Sequence, residues 1–260
     1  MPNPHGSFIW YELMTPDPHA AKAFYDAVVG WAIESQPSGP IDYRMITAPD
    51  GANVGGVMRL TPDMIAGGAS QRWVGYIGVD DVDTASAALT AEGATLLMGG
   101  PHDVEGVGRI AYLHDPDGAP FYVMRGASDE VSTAFVQGPT SYGHIVWNEL
   151  AAVDDTRATA FYTAGFGWRQ DGSMPMGPLG EYRFLYQGEA MIGAIMPRMD
   201  ENASGWMFYF HVPDIDAGAQ RVRAASGVIE QEPIEIPGGG FSLAARDPAG
   251  ARFGLVGERT

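Results

Sequence analysis

The chain contains no cysteine. Disulfides, thiolate metal ligands and thiol nucleophiles are therefore all excluded. Lysine is nearly absent as well, Lys22 being the single lysine among 15 basic residues. It falls in an amphipathic helix pattern, where a solvated side chain is expected, so Schiff-base chemistry has no candidate. Positive charge is scarce overall: 15 basic against 32 acidic residues leave a net charge of −17. Such a surface repels phosphate backbones and anionic lipid, so neither nucleic acid nor a membrane is an expected partner. No run approaches the ~18 apolar residues of a membrane helix. The opening residues Met-Pro-Asn-Pro-His-Gly offer neither a basic start nor an apolar stretch. No signal peptide is expected from them, and a cytoplasmic location follows as the expectation.

What the chain does have is apolar residues, 45% of its 260, enough to bury a substantial core. It also has an internal repeat. Shifted by 137 residues, GSFIWYELMTPDPHAAKAFYDAVVGW (6–31) lies over GHIVWNELAAVDDTRATAFYTAGFGW (143–168), with 12 of 26 positions identical. Further matches follow in the same order: 43–58 with 182–196, 73–85 with 206–218, and DPDGAPF (115–121) with DPAGARF (247–253). An ordered series over about 120 residues is the mark of a duplication. Residues 1–126 form the first domain, 127–141 a connector and 142–260 the second domain.

Each half carries a further symmetry. FIWYEL alternates as a strand, and Asp17-Pro18 supplies an N-cap and a first-turn proline for a helix running to Val29. WVGYIGV reads as a second strand, after which Asp81 or Asp83 caps a helix that Gly93 stops. Short β segments with turn signals follow each helix, Gly238-Gly239-Gly240 among them. The order is βαβββ, four times over, in an α+β chain.

In that order the motifs Asp17…Phe24-Tyr25…Gly30-Trp31 and Asp115-Pro116-Asp117-Gly118, repeated as Asp154…Phe161-Tyr162…Gly167-Trp168 and Asp247-Pro248-Ala249-Gly250, resemble the vicinal oxygen chelate (glyoxalase/bleomycin-resistance/dioxygenase) superfamily. The resemblance implies two glyoxalase-like domains, each pairing two βαβββ modules so that curved mixed sheets enclose a cavity. It also implies a divalent metal held by His, Glu or Gln at set strand positions. Carried onto this chain, those slots hold Trp10, Val74 and Tyr122 in the first half, and Trp147, Met207 and Gly254 in the second. These side chains supply no usual donor set. No cofactor is therefore expected, although a divalent metal (Zn, Ni, Mn or Fe) at shifted positions such as Glu12, Glu149 and His211 remains an alternative.

Strand alternation then says what faces inward. Trp10 and Glu12, Trp147 and Glu149, Tyr76 and Gly78, Tyr209 and His211, and Tyr122 with Met124 share the inner face, with Arg252 and Gly254 in the second half. Aromatic walls with a few polar groups suit a planar or apolar small molecule. Trp10, Tyr76, Tyr122, Trp147, Tyr209 and His211 are the candidate ligand contacts, although large aromatics are as readily core. Glu12 and Glu149 sit mid-strand between apolar neighbours, either bridged to arginine (Arg44 and Arg183 being the partners at hand) or serving as acid–base groups. Tyr43 and Tyr182 read as strand packing. His211 and Glu149 together could form a base pair. His5, His19, His102 and His114 read as solvated, and His144 points outward by alternation. A small-molecule binding protein is the expected function. A glyoxalase-like or dioxygenase-like enzyme, or a metal-free one with Glu12 or Glu149 as base, is the alternative. Because one chain already contains the paired arrangement, a monomer or weak homodimer is expected.

Overall fold

The computed structural model describes residues 3–199 and 205–259. The first module runs β1 (Phe8–Thr15), α1 (Pro18–Val28), β2 (Ala32–Ile33), β3 (Tyr43–Thr47) and β4 (Asn53–Arg59). A short helix α2 (Pro62–Ala66) leads to the second: β5 (Arg72–Gly78), α3 (Val82–Ala91), β6 (Thr95–Leu96), β7 (His102–Val104), β8 (Gly108–His114) and β9 (Pro120–Gly126). The third is β10 (Ile145–Ala152), α4 (Asp155–Phe166), β11 (Arg169–Pro175), β12 (Glu181–Gln187) and β13 (Ala190–Pro197). The fourth is β14 (Gly205–Asp214), α5 (Ile215–Ala224), β15 (Val228–Glu235), β16 (Phe241–Arg246) and β17 (Arg252–Glu258). The βαβββ order recurs in all four, with α2 and β7 as additions.

An aspartate starts each module helix. Asp17, Asp81, Asp154 and Asp214 each accept a hydrogen bond from a first-turn backbone N–H, satisfying a donor the helix itself cannot. One face of each helix is apolar: Ala21, Phe24, Tyr25 and Val28 on α1, and Ile215, Ala219 and Val222 on α5, are buried. The strands form two mixed sheets, ordered β2-β3-β4-β1-β5-β9-β8-β6, with β7 beside β8, and β11-β12-β13-β10-β14-β17-β16-β15. Within each module the first strand runs parallel to the last, which in turn pairs antiparallel with its predecessor.

Packing groups the chain into two compact units. One comprises Met1–Ile9, Val74–Ser132 and Asn148–Trp206, the other Trp10–Trp73, Thr133–Trp147 and Met207–Thr260. Each unit thus joins a module from one sequence repeat to a module from the other. A buried hydrogen-bond relay makes that join. In the second unit Tyr25 Oη donates to Asp247 Oδ2 (3.2 Å) and accepts from Trp73 Nε1 (2.9 Å). Asp247 Oδ1 accepts from the backbone N–H groups of Ala249 and Ala251 (3.0 and 2.9 Å) and from Gln71 Nε2 (2.9 Å). The first unit repeats the arrangement: Tyr162 Oη donates to Asp115 Oδ2 (3.2 Å) and accepts from Trp206 Nε1 (2.9 Å). Asp115 Oδ1 accepts from the N–H groups of Asp117 and Ala119 (2.9 and 2.8 Å).

A second pair of bonds reinforces each unit. Trp31 Nε1 donates to Gly143 O at 2.6 Å, and Trp168 Nε1 donates to Gly6 O at 2.7 Å. Both glycines have positive φ, +82° and +81° for Gly6 and Gly143. A Cβ would stand 2.6 Å from Phe166 O at Gly6 and 2.5 Å from Pro49 Cδ at Gly143, so no larger residue fits either position. Around the relays pack Trp31, Trp73, Phe210 and Phe253 in one unit, and Phe121, Phe166, Trp168 and Trp206 in the other.

Two outcomes follow. Tyr25→Phe strands the Trp73 donor and an Asp247 oxygen at once, and should lower the unfolding free energy by about 1–3 kcal/mol in urea denaturation. An unchanged midpoint would show that the relay carries no stability. Burial, above all, raises the carboxyls of Asp115 and Asp247 from their ordinary value, despite the hydrogen bonds that oppose it. A raised folded-state pKa means the folded protein holds the proton longer than the unfolded chain. The stabilisation is therefore complete below the ordinary carboxylate pKa of about 4 and is lost as pH rises through the folded value. The stability gap between the natural protein and an Asp115→Asn/Asp247→Asn variant should accordingly narrow as pH is raised from about 4, and a gap that widens would contradict the burial argument.

Candidate functional site

On the face of β1, β4 and β3, register places Glu12 beside Gly56 and Gly56 beside Met45. Glu12 is buried. A Cβ on Gly56 would lie 2.2 Å from the Tyr43 ring, so that ring rests directly over Gly56. Its hydroxyl accepts from Trp10 Nε1 at 2.7 Å. Burial, and then the Glu12 charge, raise the Tyr43 phenol well above its ordinary range, against the lowering effect of the Trp10 bond.

The equivalent face in the other repeat is built differently. Across β10, β13 and β12 the row reads Glu149, Ala194 and Phe184. Tyr182, two residues before Phe184, donates its hydroxyl to Glu149 Oε2 at 2.7 Å. Glu149 is only 7% exposed. Tyr182 and Phe184 meet edge to face with ring centroids 5.9 Å apart, and Tyr186, next on the same face, carries the Arg169 guanidinium 4.6 Å above its ring.

The two remaining faces also differ. Register aligns Tyr76, Tyr122 and Tyr112 across β5, β9 and β8, and their rings stack with centroids 4.2 and 4.5 Å apart. The corresponding row on β14, β17 and β16 is Tyr209, Gly254 and Ala244. With no side chain at Gly254 the Tyr209 ring lies down over it, where a Cβ would be 2.1 Å away. Met207, Tyr209 and Ala244 form a buried cluster against which Trp147 and Val256 pack. His211 is buried, with Nδ1 3.1 Å from Ser141 Oγ and its ring 4.8 Å from that of Tyr142. Desolvation pushes its imidazole below the ordinary value.

Two expectations about partners are corrected. Arg44 does not bridge Glu12: its guanidinium bonds Asp42 at 2.8 Å, stands against the His19 ring and donates to Ser35 O. Arg183 bonds Asp155 at 2.8 Å. Each arginine follows a tyrosine that shares the glutamate's face, so strand alternation turns it to the opposite side. Tyr43 and Tyr182, taken as packing, are the residues that approach the tryptophan and the carboxylate. His19, although exposed, lies against Arg44.

His144 is a polar centre the strand pattern did not reveal. Its Nδ1 lies 2.6 Å from Thr133 O and its Nε2 2.9 Å from Asp50 Oδ2. The Ala52 N–H first, and then His144, hold the Asp50 carboxyl below its usual range. Only the fold brings the Asp50 turn to the segment before β10. Among the described residues no three His, Asp or Glu side chains cluster so as to hold a metal ion, and no helix is long and apolar enough to cross a membrane.

Comparison with known proteins agrees with this architecture. Residues 10–124 match the model of a glyoxalase-like domain, and residues 141–255 that of the Glyoxalase/Bleomycin resistance protein/Dioxygenase superfamily. The Mycobacterium bovis protein named "Putative glyoxylase CFP32" is 33% identical over 250 residues, covering 95% of this chain and 93% of that protein. The anthracycline biosynthesis protein DauV of Streptomyces sp. (strain C5) is 29% identical over 270 residues, covering 96% of this chain and 93% of its own. In fold, the Mn(II)-bound glyoxalase from Novosphingobium aromaticivorans superposes with a TM-score of 0.67 at 18% identity, over 100% of this chain and 83% of that one. With two matched domains in tandem and a relative of this identity along its length, the chain belongs to the glyoxalase/bleomycin resistance protein/dioxygenase superfamily.

Proposed function

We propose that this protein binds a planar, largely apolar small molecule against its aromatic strand faces and does so without a divalent metal. One observation carries the reading. The positions that the superfamily resemblance assigns to metal ligands hold an indole, an isopropyl group and a phenol in one half, and an indole, a thioether and no side chain in the other. Hard and borderline divalent cations need carboxylate or imidazole donors, which this set lacks. No catalytic step is therefore routed through a metal.

The same faces supply what a flat ligand needs. Trp10 and Tyr43, the Tyr76–Tyr122–Tyr112 ladder, and Tyr182 with Phe184 present rings whose dispersion and quadrupole interactions favour another ring. The acidic balance of the chain, −17, suits a neutral or cationic ligand better than an anionic one. The name of the Streptomyces relative points the same way, anthracyclines being fused, flat ring systems.

Titration with 2-methoxynaphthalene, followed through tryptophan fluorescence, tests the reading. Saturable quenching should be the same for protein treated with EDTA and for protein offered Ni²⁺, Zn²⁺, Mn²⁺ or Fe²⁺ and desalted. Elemental analysis that finds about one retained metal per chain, with binding that depends on it, would overturn the proposal in favour of a metal-dependent glyoxalase or dioxygenase.

A further inference from the structure

The two repeats use the proton of a matched phenol differently. In the second repeat Tyr182 donates its hydroxyl to Glu149 Oε2 at 2.7 Å. In the first repeat the counterpart hydroxyl, that of Tyr43, accepts from Trp10 Nε1 at 2.7 Å. An indole N–H can only donate, so this bond occupies a lone pair of the Tyr43 oxygen and leaves the phenol proton unspent. Among the described residues no acceptor takes that proton: Glu12 acts on Tyr43 through its charge, and the hydrogen bond of the hydroxyl is the one to Trp10. A hydroxyl that accepts a bond becomes a stronger donor, because the two bonds polarise one another. Burial, and then the Glu12 charge, keep the phenol in its protonated, donating form.

The surroundings restrict what that donor can meet. Trp10 and Tyr43 are half-buried, and so are Met45 and Met58, which register places on the same face beside Gly56 and Tyr43. The Tyr43 ring rests over Gly56, where a Cβ would come 2.2 Å from it. Rings and thioethers are polarisable surfaces that favour a flat, apolar ligand. Arg44, next along β3, faces the other way and is committed to Asp42 and Ser35 O. It brings no positive charge to this face, whereas Glu12 brings a negative one. An anionic acceptor is therefore disfavoured and a neutral one selected.

We infer that the face of β1, β4 and β3 takes a planar ligand through a neutral carbonyl oxygen that accepts from the Tyr43 hydroxyl, with Trp10 orienting that hydroxyl by bonding its oxygen. The inference rests on the binding reading above and adds to it the carbonyl-bearing class of ligand and the repeat that recognises it.

Isothermal titration calorimetry with 2-acetylnaphthalene and 2-isopropenylnaphthalene separates the two levels, since these probes are close in shape and differ in having a carbonyl oxygen or a methylene group. The ketone should bind about fivefold more tightly, the size of one neutral hydrogen bond. Tyr43→Phe, which removes the hydroxyl and leaves the ring, should bring the two affinities together by weakening the ketone alone. Tyr182→Phe should leave the preference in place. Infrared spectra of the bound ketone, isotope-labelled at its carbonyl, need no variant and so serve even if Tyr43→Phe fails to fold: the stretch should fall below its value for the ketone in hexane. Equal affinities in the natural protein, or an unshifted stretch, would overturn the carbonyl inference and leave the binding reading in place. Failure of both probes to bind would overturn the binding reading itself. A preference lost in Tyr182→Phe and kept in Tyr43→Phe would place recognition in the other repeat and overturn the assignment.

Discussion

The structure depends on a buried phenol that must both donate and accept. Tyr25 and Tyr162 sit at the centres of their units, each between a tryptophan N–H and an aspartate whose other oxygen closes its own turn. In a dry interior a hydroxyl without partners is costly, so the three groups fix one another's positions far more tightly than apolar packing alone. The aspartate serves two purposes: it holds the Asp-Pro-x-Gly turn through backbone N–H groups, and it receives the phenol. The turn and the helix bearing the phenol therefore have to arrive together.

In both units these partners come from opposite sequence repeats: Tyr25 with Asp247, and Tyr162 with Asp115. The tryptophan bonds to Gly143 and Gly6 follow the same rule. Duplication has thus left every unit dependent on both copies, which constrains the relay residues to stay the same in both. The strand faces carry no such constraint. There the copies have separated, Tyr122 against Gly254 and Gly56 against Ala194, and at each glycine a neighbouring tyrosine ring lies over the strand. A sheet makes a change of a few atoms count because cross-strand neighbours stand so close together.

The alternation of β1 and β10 was enough to pair Trp10 with Glu12 and Trp147 with Glu149 in direction, and strand register agrees with the alignment of Tyr76 with Tyr122 and of Tyr209 with Gly254. The partners of the glutamates were not legible in the same way. Arg44 and Arg183 were attractive on charge alone, yet their parity turns them away, while Tyr43 and Tyr182 have the right parity and lacked only an evident reason to be polar contacts. Applying the period of two to every residue of β3 and β12 would have found them. The His144–Asp50 contact could not have been found, because a turn and the segment just before β10, separated by 94 positions, carry no shared pattern.

The letters alone determined the duplication, the βαβββ order, the aspartate caps and the strand parity, since each follows from local rules: which residue tolerates which φ, which side chain can serve an unpaired helix N–H, and how side chains alternate along a strand. Only the tertiary structure decided which copy of each motif meets which. Tyr25 is as well matched to Asp115 as to Asp247 by any local criterion, and the choice between them is made by how modules pack. The same is true of the phenols at the two glutamates. Whether a ring lies over a neighbouring strand depends on a Cβ on that strand, a relation between residues about 12 positions apart that exists only once the sheet has formed.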